Sequence, residues 1–142
     1  MLAVIIEEIS GIPYQKYVEQ NVFSPCGMID SGFFTMNELP ERTANGYVKT
    51  ESGWRTNIYN LPIVGAGDGG AFVTVEDMKK FWISLFSYKI IDKELLEIFM
   101  QPSKKEKYSN TDIYYGHGFY INKAPHKEAI PYLLIRTSFF RL

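Results

Sequence analysis

The stretch that most constrains the fold is residues 65–86, where a glycine-rich loop runs directly into an amphipathic helix. Thr74 is a typical N-cap residue, and Asp77, three positions later, predicts a capping box in which its carboxylate returns to the Thr74 N–H. Beyond the cap, apolar residues recur at intervals of three and four, which places them on one helical stripe: Val75, Met78, Phe81, Trp82, Leu85 and Phe86. A stripe of this kind needs a core to pack against.

The glycines before this helix allow more than one interpretation. Their spacing in residues 65–70 matches G-x-G-x-x-G, and the N-terminus of a following helix can hold a phosphate, as in a nucleotide-binding protein. A dinucleotide fingerprint also needs a buried strand ahead of the glycines, whereas Asn60 and Pro62 predict a loop there, and Asp68 would repel a phosphate. A structural turn or a pocket wall is therefore favoured, with nucleotide binding as the alternative.

A second strong prediction is a helix over residues 2–10 that stops at Gly11, because glycine tolerates the left-handed conformation after a helix. Six of the nine positions of this first helix are apolar, which leaves little polar face, so we expect it to be buried between other elements. Its abrupt start at Met1 suggests a partner further upstream. If the helix is exposed instead, it predicts an interaction module that docks or self-associates through this surface.

The remaining segments predict shorter elements. A second helix is expected over residues 13–21, followed by a turn at Pro25 and Gly27. Residues 30–60 form a long aromatic loop with one short strand near residues 46–50, and Asp92 caps a further helix that ends before Pro102. Residues 113–122 and 130–140 predict two strands of one hairpin.

Composition excludes several classes of protein. A chain of 142 residues with 46% apolar content has material for one packed core, and a net charge of −1 does not predict a nucleic-acid or anionic-membrane partner. Cys26 is the only cysteine, which excludes an internal disulfide and a cysteine-rich metal site, and we read it as a small apolar residue. We expect no metal, no cofactor and no membrane span, since no run reaches the ~18 apolar residues that a span needs.

Five segments in chain order carry a family resemblance: residues 5–11 (IIEEISG, with Tyr14 and Tyr17 behind them), 22–28 (VFSPCGM), 44–47 (ANGY), 69–81 (GGAFVTVEDMKKF) and 115–119 (YGHGF). Together they resemble the serine β-lactamase-like hydrolases, which include class C β-lactamases, penicillin-binding DD-peptidases and related esterases. The resemblance covers residues 1–123, and residues 124–142 form a divergent tail. It implies a single partial domain of α+β class, a β-lactamase/transpeptidase-like fragment of mostly helices and long loops with one or two antiparallel strands.

Hydrolases of this family transfer an acyl group through a serine. They combine a Ser-x-x-Lys motif, a Tyr-x-Asn loop and a Lys-Thr-Gly or His-x-Gly strand edge. No Ser-x-x-Lys occurs in the sequence, the Tyr-x-Asn match at residues 108–110 is out of family order, and residues 49–51 (KTE) lack the glycine. The resemblance thus implies a parent that hydrolyses β-lactams, D-Ala-D-Ala peptides or small esters, and a chain that is inactive alone.

The resemblance also implies where a site role would remain. The family segment that matches Asp68, Gly69 and Gly70 borders the substrate cleft, so these three residues are the candidates for binding a small-molecule or peptidoglycan-type substrate. We assign no catalytic or metal-binding residue. His117 is interpreted as a partly exposed strand residue, and His126 lacks the small neighbours of a His-x-Gly edge. Three further acids, Glu7, Glu8 and Asp77, are interpreted as solvated helix ends.

Overall fold

The computed structural model describes residues 1–101, 104–105, 113–118 and 120–122. These residues divide into two compact units between Ser84 and Leu85, and each unit is described by itself. The predictions for residues 108–110, His126 and residues 130–140 lie outside the described residues.

Helix α1 spans Leu2–Ser10 and ends where the sequence predicts. Gly11 adopts φ 72°, in the left-handed region, and its N–H donates to the Glu7 carbonyl at 2.8 Å, a single-bond helix cap. The expectation that α1 is buried is wrong for this chain. Its exposed apolar side chains are Leu2 (77% exposed), Val4 (56%), Ile5 (47%) and Ile9 (82%).

The second helical segment is longer than predicted. Helix α2, Tyr14–Val18, continues through a π-helical turn at Glu19–Phe23 into α3, Ser24–Cys26. The wide turn ends two residues before Pro25, which has no N–H to donate to the preceding turn and whose ring would crowd a regular α-helix. The predicted turn comes at Gly27 alone, with φ 72°.

The end of α3 forms the buried centre of the first unit. The Gly27 N–H donates to the Ser24 carbonyl at 3.0 Å and the Met28 N–H donates to the Phe23 carbonyl at 2.9 Å, which is the two-bond Schellman pattern. Its flanking side chains Phe23, Cys26 and Met28 are all buried. The Phe33 ring stacks on Phe23 with centroids 5.9 Å apart.

The long loop after α3 holds the first antiparallel pair. Strand β1, Tyr47–Thr50, confirms the predicted short strand and pairs with β2, Gly53–Thr56, which the sequence did not predict. A two-residue turn, Glu51–Ser52, connects them, and a 3₁₀ turn at Ile58–Asn60 follows.

Helix α4, Val75–Phe86, begins at the predicted cap. The Asp77 N–H donates to Thr74 Oγ1 at 3.1 Å, which confirms Thr74 as the N-cap. The predicted apolar stripe is only partly buried: Leu85 is 3% exposed, but Val75 is 56% exposed. Asp77, expected on a solvated helix end, is 0% exposed.

The second unit holds helix α5 and a three-stranded antiparallel sheet. Helix α5 spans Lys93–Phe99, and Asp92 caps it as predicted, accepting from the Leu95 N–H at 2.7 Å. The sheet has the order β3 (Lys104–Lys105), β4 (Ile113–Tyr115) and β5 (Tyr120–Asn122). Residues 113–122, predicted as one interrupted strand, are therefore two paired strands with a turn that includes Gly118 at φ 90°.

The observed architecture confirms the α+β class. The described residues contain more strands than the one or two predicted. The additional strands were not predicted because each has only two to four residues, which leaves little alternation in the sequence. Within the described part of the chain, every helix is too short or too polar to cross a membrane.

Candidate functional site

The candidate wall residues lie on a tight hairpin. Ala66 and Gly69 exchange two backbone hydrogen bonds, 2.8 Å from the Ala66 N–H and 3.1 Å from the Gly69 N–H. Gly67 and Asp68 form the two-residue turn between them, and both are exposed. The structure therefore brings Asp68, Gly69 and Gly70 together at the tip and return side of one turn, which we call the glycine hairpin (residues 65–70).

The hairpin needs glycine at its base for two reasons. Gly69 and Gly70 have φ values of 142° and 93°, where side chains are strained. The two ends of the hairpin also touch, since a Cβ on Gly70 would lie 2.6 Å from the Gly65 Cα, and a Cβ on Gly65 would collide with the Gly70 carbonyl. The hairpin can therefore close only if positions 65 and 70 carry no side chain.

Two helices of the first unit hold the hairpin in place. A Cβ on Gly67 would collide with the Ala3 Cβ, so the tip lies directly against the first turn of α1. The Gln15 side chain of α2 donates from Nε2 to the Gly65 carbonyl at 2.9 Å. Gly67, the residue before Asp68, thus lies beside the beginning of α1.

This geometry differs from that of a phosphate-binding loop. Such a loop directs several free N–H groups of a helix N-terminus toward the anion. Here the N–H groups of Ala66 and Gly69 are bonded within the hairpin, the Phe72 N–H donates to the Gly32 carbonyl, and α4 begins only at Val75. The G-x-G-x-x-G match is therefore explained by hairpin closure rather than by nucleotide binding.

A buried polar cluster surrounds Asp77 in the first turn of α4. Asp77 is fully buried, and its Oδ2 accepts from the Asp30 N–H and from Ser31 Oγ, both at 2.8 Å. Lys80 Nζ lies 2.7 Å from Asp77 Oδ1 and also donates to the Gly27 carbonyl at 3.0 Å. The predicted capping box is wrong, because the Asp77 carboxylate turns to these partners and not to the Thr74 N–H.

The partners of Asp77 decide its charge. Burial by itself raises the pKa of this carboxyl, but hydrogen bonds from Lys80, Ser31 and the Asp30 N–H, with the charge of Lys80, outweigh burial and hold the pKa below its ordinary value. Asp77 is therefore ionised in the folded chain at neutral pH.

The other sequence candidates have structural roles. His117 lies at the end of α5, where its N–H donates to the Phe99 carbonyl at 3.0 Å and its Nδ1 is 3.2 Å from the Ile98 carbonyl. Glu7 accepts from the Tyr14 N–H at 2.8 Å and so caps α2. Glu7 and Glu8 line a shallow cavity of about 400 Å³ with Gly11, Ile12 and Pro13. Among the described residues, no cluster of His, Cys, Asp and Glu has the arrangement of a metal site.

Sequence reasoning missed the importance of Asp77. Its partners Asp30 and Ser31 lie 47 and 46 positions away, so no local pattern could connect them. The local sequence showed only that Asp77 lies three residues after the N-cap Thr74. An exposed acid is equally common at that position, so this signal did not predict burial.

The sequence contains no Ser-x-x-Lys motif that would place a nucleophile and its base on one helix face. The hairpin presents backbone groups and one exposed carboxylate, which accepts hydrogen bonds but cannot donate them when ionised.

Known proteins resemble this chain over most of its length. PbpX of Bacillus subtilis (strain 168), named as a penicillin-binding protein, is 34% identical over 125 residues, covering 85% of this chain and 29% of PbpX. A penicillin-binding protein from Bacillus halodurans superposes with a TM-score of 0.78 at 40% identity, covering 87% of this chain and 37% of that one. An octameric penicillin-binding protein homologue from Pyrococcus abyssi gives 0.71 at 28% identity, with 84% and 28% covered.

This chain thus spans about a third of the length of the relatives that it matches. These relatives are named as penicillin-binding proteins or as a homologue of them, in agreement with the resemblance carried by the five sequence segments, and the superpositions confirm the predicted β-lactamase/transpeptidase-like fragment. The Beta-lactamase family model matches residues 1–139, and the chain therefore belongs to the Beta-lactamase family.

Proposed function

We propose that this chain forms part of a serine hydrolase of the β-lactamase and penicillin-binding type, in which the glycine hairpin is a wall of the substrate cleft. In this role Asp68, Gly69 and Gly70 contact the substrate, and the attacking serine and its lysine come from a part of the hydrolase outside residues 1–142. The chain alone is inactive.

The observation that supports this proposal best is the contact between Gly67 and Ala3. In hydrolases of this family, the Tyr-x-Asn loop precedes the helix that α1 resembles. A hairpin pressed against the first turn of α1 therefore has its exposed tip beside the place where that loop would enter.

The chemistry of the tip suggests which substrates suit it. An ionised Asp68 accepts hydrogen bonds, so it would recognise an N–H group. Both the acylamino N–H of a penicillin or cephalosporin and the backbone N–H of a D-Ala-D-Ala peptide meet this requirement. A small ester without an N–H does not.

A chimera tests the proposal. Residues 1–142 would replace the matching third of the Bacillus halodurans penicillin-binding protein, and labelling by a fluorescent penicillin and hydrolysis of a chromogenic cephalosporin would be measured. We expect the chimera to be labelled, and Asp68→Ala to raise KM for the cephalosporin about tenfold, since a hydrogen bond to a charged group contributes ~1.5 kcal/mol.

Glu51→Ala is the matched control, because Glu51 is also an exposed acid in a two-residue hairpin turn. It should leave KM unchanged. A chimera that takes up no penicillin, or equal effects of the two substitutions, would contradict the proposal.

A second candidate function is self-association through α1. The exposed apolar face of this helix, which includes Leu2, Ile5 and Ile9, favours it, and the Pyrococcus abyssi relative is described as octameric. Sedimentation of the 142-residue chain should detect an oligomer that Ile9→Lys dissociates. Ile29→Lys is the control, because Ile29 is 84% exposed and Ile9 is 82% exposed. A monomeric chain would exclude this candidate.

A further inference from the structure

One extended segment bridges both sides of the glycine hairpin. Gly32 and Phe72 exchange two backbone hydrogen bonds, each 2.9 Å long, on the return side of the hairpin. On the entry side, Thr35 pairs with Val64, and the Met36 N–H donates to the Ile63 carbonyl at 3.0 Å. Residues 31–36, which we call the clamp segment, therefore hold the chain both before and after the hairpin.

The clamp segment is itself held at its first residue. Ser31 Oγ and the Asp30 N–H both donate to Asp77 Oδ2 at 2.8 Å, directly before Gly32 begins its pairing with Phe72. The Phe34 and Phe72 rings, 6.0 Å apart, add an apolar contact to the same crossing. The buried carboxylate is thus the anchor of the clamp segment.

These contacts close a short ring of structure. From Phe72 the chain passes Thr74, which caps α4, to Asp77, and from Asp77 it returns through Ser31 and Gly32 to Phe72. A ring closed by a fully buried and ionised group resists small displacements, because any movement of Ser31 removes a hydrogen bond from a charge without access to water.

We propose that Asp77 is the positioning residue of the glycine hairpin: its carboxylate fixes the clamp segment, and the clamp segment fixes the distance between the two stems and so the place of Asp68. That the position of Asp68 matters for substrate binding rests on the proposed function above. The link between Asp77 and the hairpin rests only on the hydrogen bonds described here.

Amide hydrogen exchange of the full 142-residue chain tests the link between Asp77 and the glycine hairpin without an activity measurement. Ser31→Ala removes one hydroxyl from the carboxylate but keeps the Asp30 N–H, Lys80 and the Thr74 cap. We expect at least a tenfold faster exchange at Gly32, Ala66, Gly69 and Phe72, whose N–H groups donate across the clamp and the hairpin. The Gly11 N–H, bonded within α1, should exchange as before.

Two further variants separate positioning from general stability. Ser31→Thr keeps a hydroxyl and should restore slow exchange at the hairpin. Lys80→Met removes the partner of Asp77 Oδ1 but leaves both hydrogen bonds to Oδ2, so any loss of protection should spread over the unit and not concentrate at the hairpin. Wild-type exchange at Gly69 and Phe72 in Ser31→Ala, or equal acceleration at all amides including Gly11, would overturn the proposal.

The same substitution in the chimera keeps the two proposals separate. A loosened hairpin in Ser31→Ala, with a KM that neither Ser31→Ala nor Asp68→Ala changes, supports positioning and contradicts the substrate wall. A raised KM in Asp68→Ala with wild-type exchange in Ser31→Ala supports the substrate wall and contradicts positioning. If both proposals hold, Ser31→Ala raises KM while leaving kcat for bound substrate nearly unchanged.

Discussion

At the scale of single residues, Asp77 links the chemistry of the site to the stability of the unit. The carboxylate is removed from water but receives three hydrogen bonds, two of them from residues 30 and 31. Its lowered pKa means that the folded chain binds this proton less well than the unfolded chain does.

This difference predicts the direction of a pH effect. Asp77 adds stability that is fully present above the pKa of the unfolded carboxyl, near pH 4, and is lost as the pH falls through the lower folded pKa. We expect the difference in free energy of unfolding between the wild-type chain and Asp77→Asn to be largest at neutral pH and to shrink below about pH 4. Denaturant titrations at several pH values measure it, and a difference that grows in acid would contradict the assignment.

The close approach of Gly70 to Gly65 predicts that a side chain at position 70 would prevent the hairpin from closing. Gly70 and Gly118 have nearly equal φ values, 93° and 90°, but only Gly70 has a backbone neighbour where its Cβ would be. Gly118→Ala should cost ~1–2 kcal/mol from backbone strain alone. Gly70→Ala should cost clearly more, as measured by thermal unfolding, and equal losses would show that the contact with Gly65 is unimportant.

At the scale of elements, α4 depends on its cap. Thr74 Oγ1 accepts from the Asp77 N–H, so the cap and the buried carboxylate meet in the same turn. Thr74→Ala should lower the free energy of unfolding by about 1 kcal/mol, whereas Thr74→Ser keeps the acceptor and should remain within a few tenths of the wild-type value. Circular dichroism during denaturation distinguishes the two, and similar losses would mean that the hydroxyl is not the stabilising group.

Local chemistry explains which elements were predictable. The stop at Gly11 and the caps at Thr74 and Asp92 each depend on a few neighbouring residues, and each was predicted correctly. Strand β1 was also predicted, with its start one residue too early. The predictions that failed depend on distant contacts or on subtle backbone changes. The burial of Asp77 requires Ser31, and the split of residues 113–122 into two strands depends on a turn that the apolar pattern does not reveal.

In the candidate site, too, local features were predicted from the sequence and distant contacts were not. The glycine spacing of residues 65–70 predicted a turn, because such spacing is a local signal, and the backbone pairing of Ala66 with Gly69 shows that this turn closes a hairpin. The clamp segment was not predicted, since residues 31–36 and 63–72 carry no alternation that would identify them as partners.

At the scale of the whole molecule, the chain has the fold of its family but lacks one sequence motif. Family membership extends over residues 1–139, but the Ser-x-x-Lys motif is absent from the 142 residues. We therefore expect no covalent labelling of the purified chain by a fluorescent penicillin, under conditions in which the chimera is labelled. Labelling of a serine in the isolated chain, detected by mass spectrometry, would contradict this.

The π-helical turn at Glu19–Phe23 has a consequence for which deletions this chain can tolerate. Such a turn contains one residue more than a regular helix would use between the same ends, so removing the exposed Gln20 leaves Tyr14 and Phe23 facing as they do now. The proline two positions after Phe23 would then meet a carbonyl at normal helical spacing, a clash of ~3 kcal/mol. A deletion at Gln20 should therefore be tolerated together with Pro25→Ala and should destabilise the chain without it, as thermal unfolding of the two variants would show.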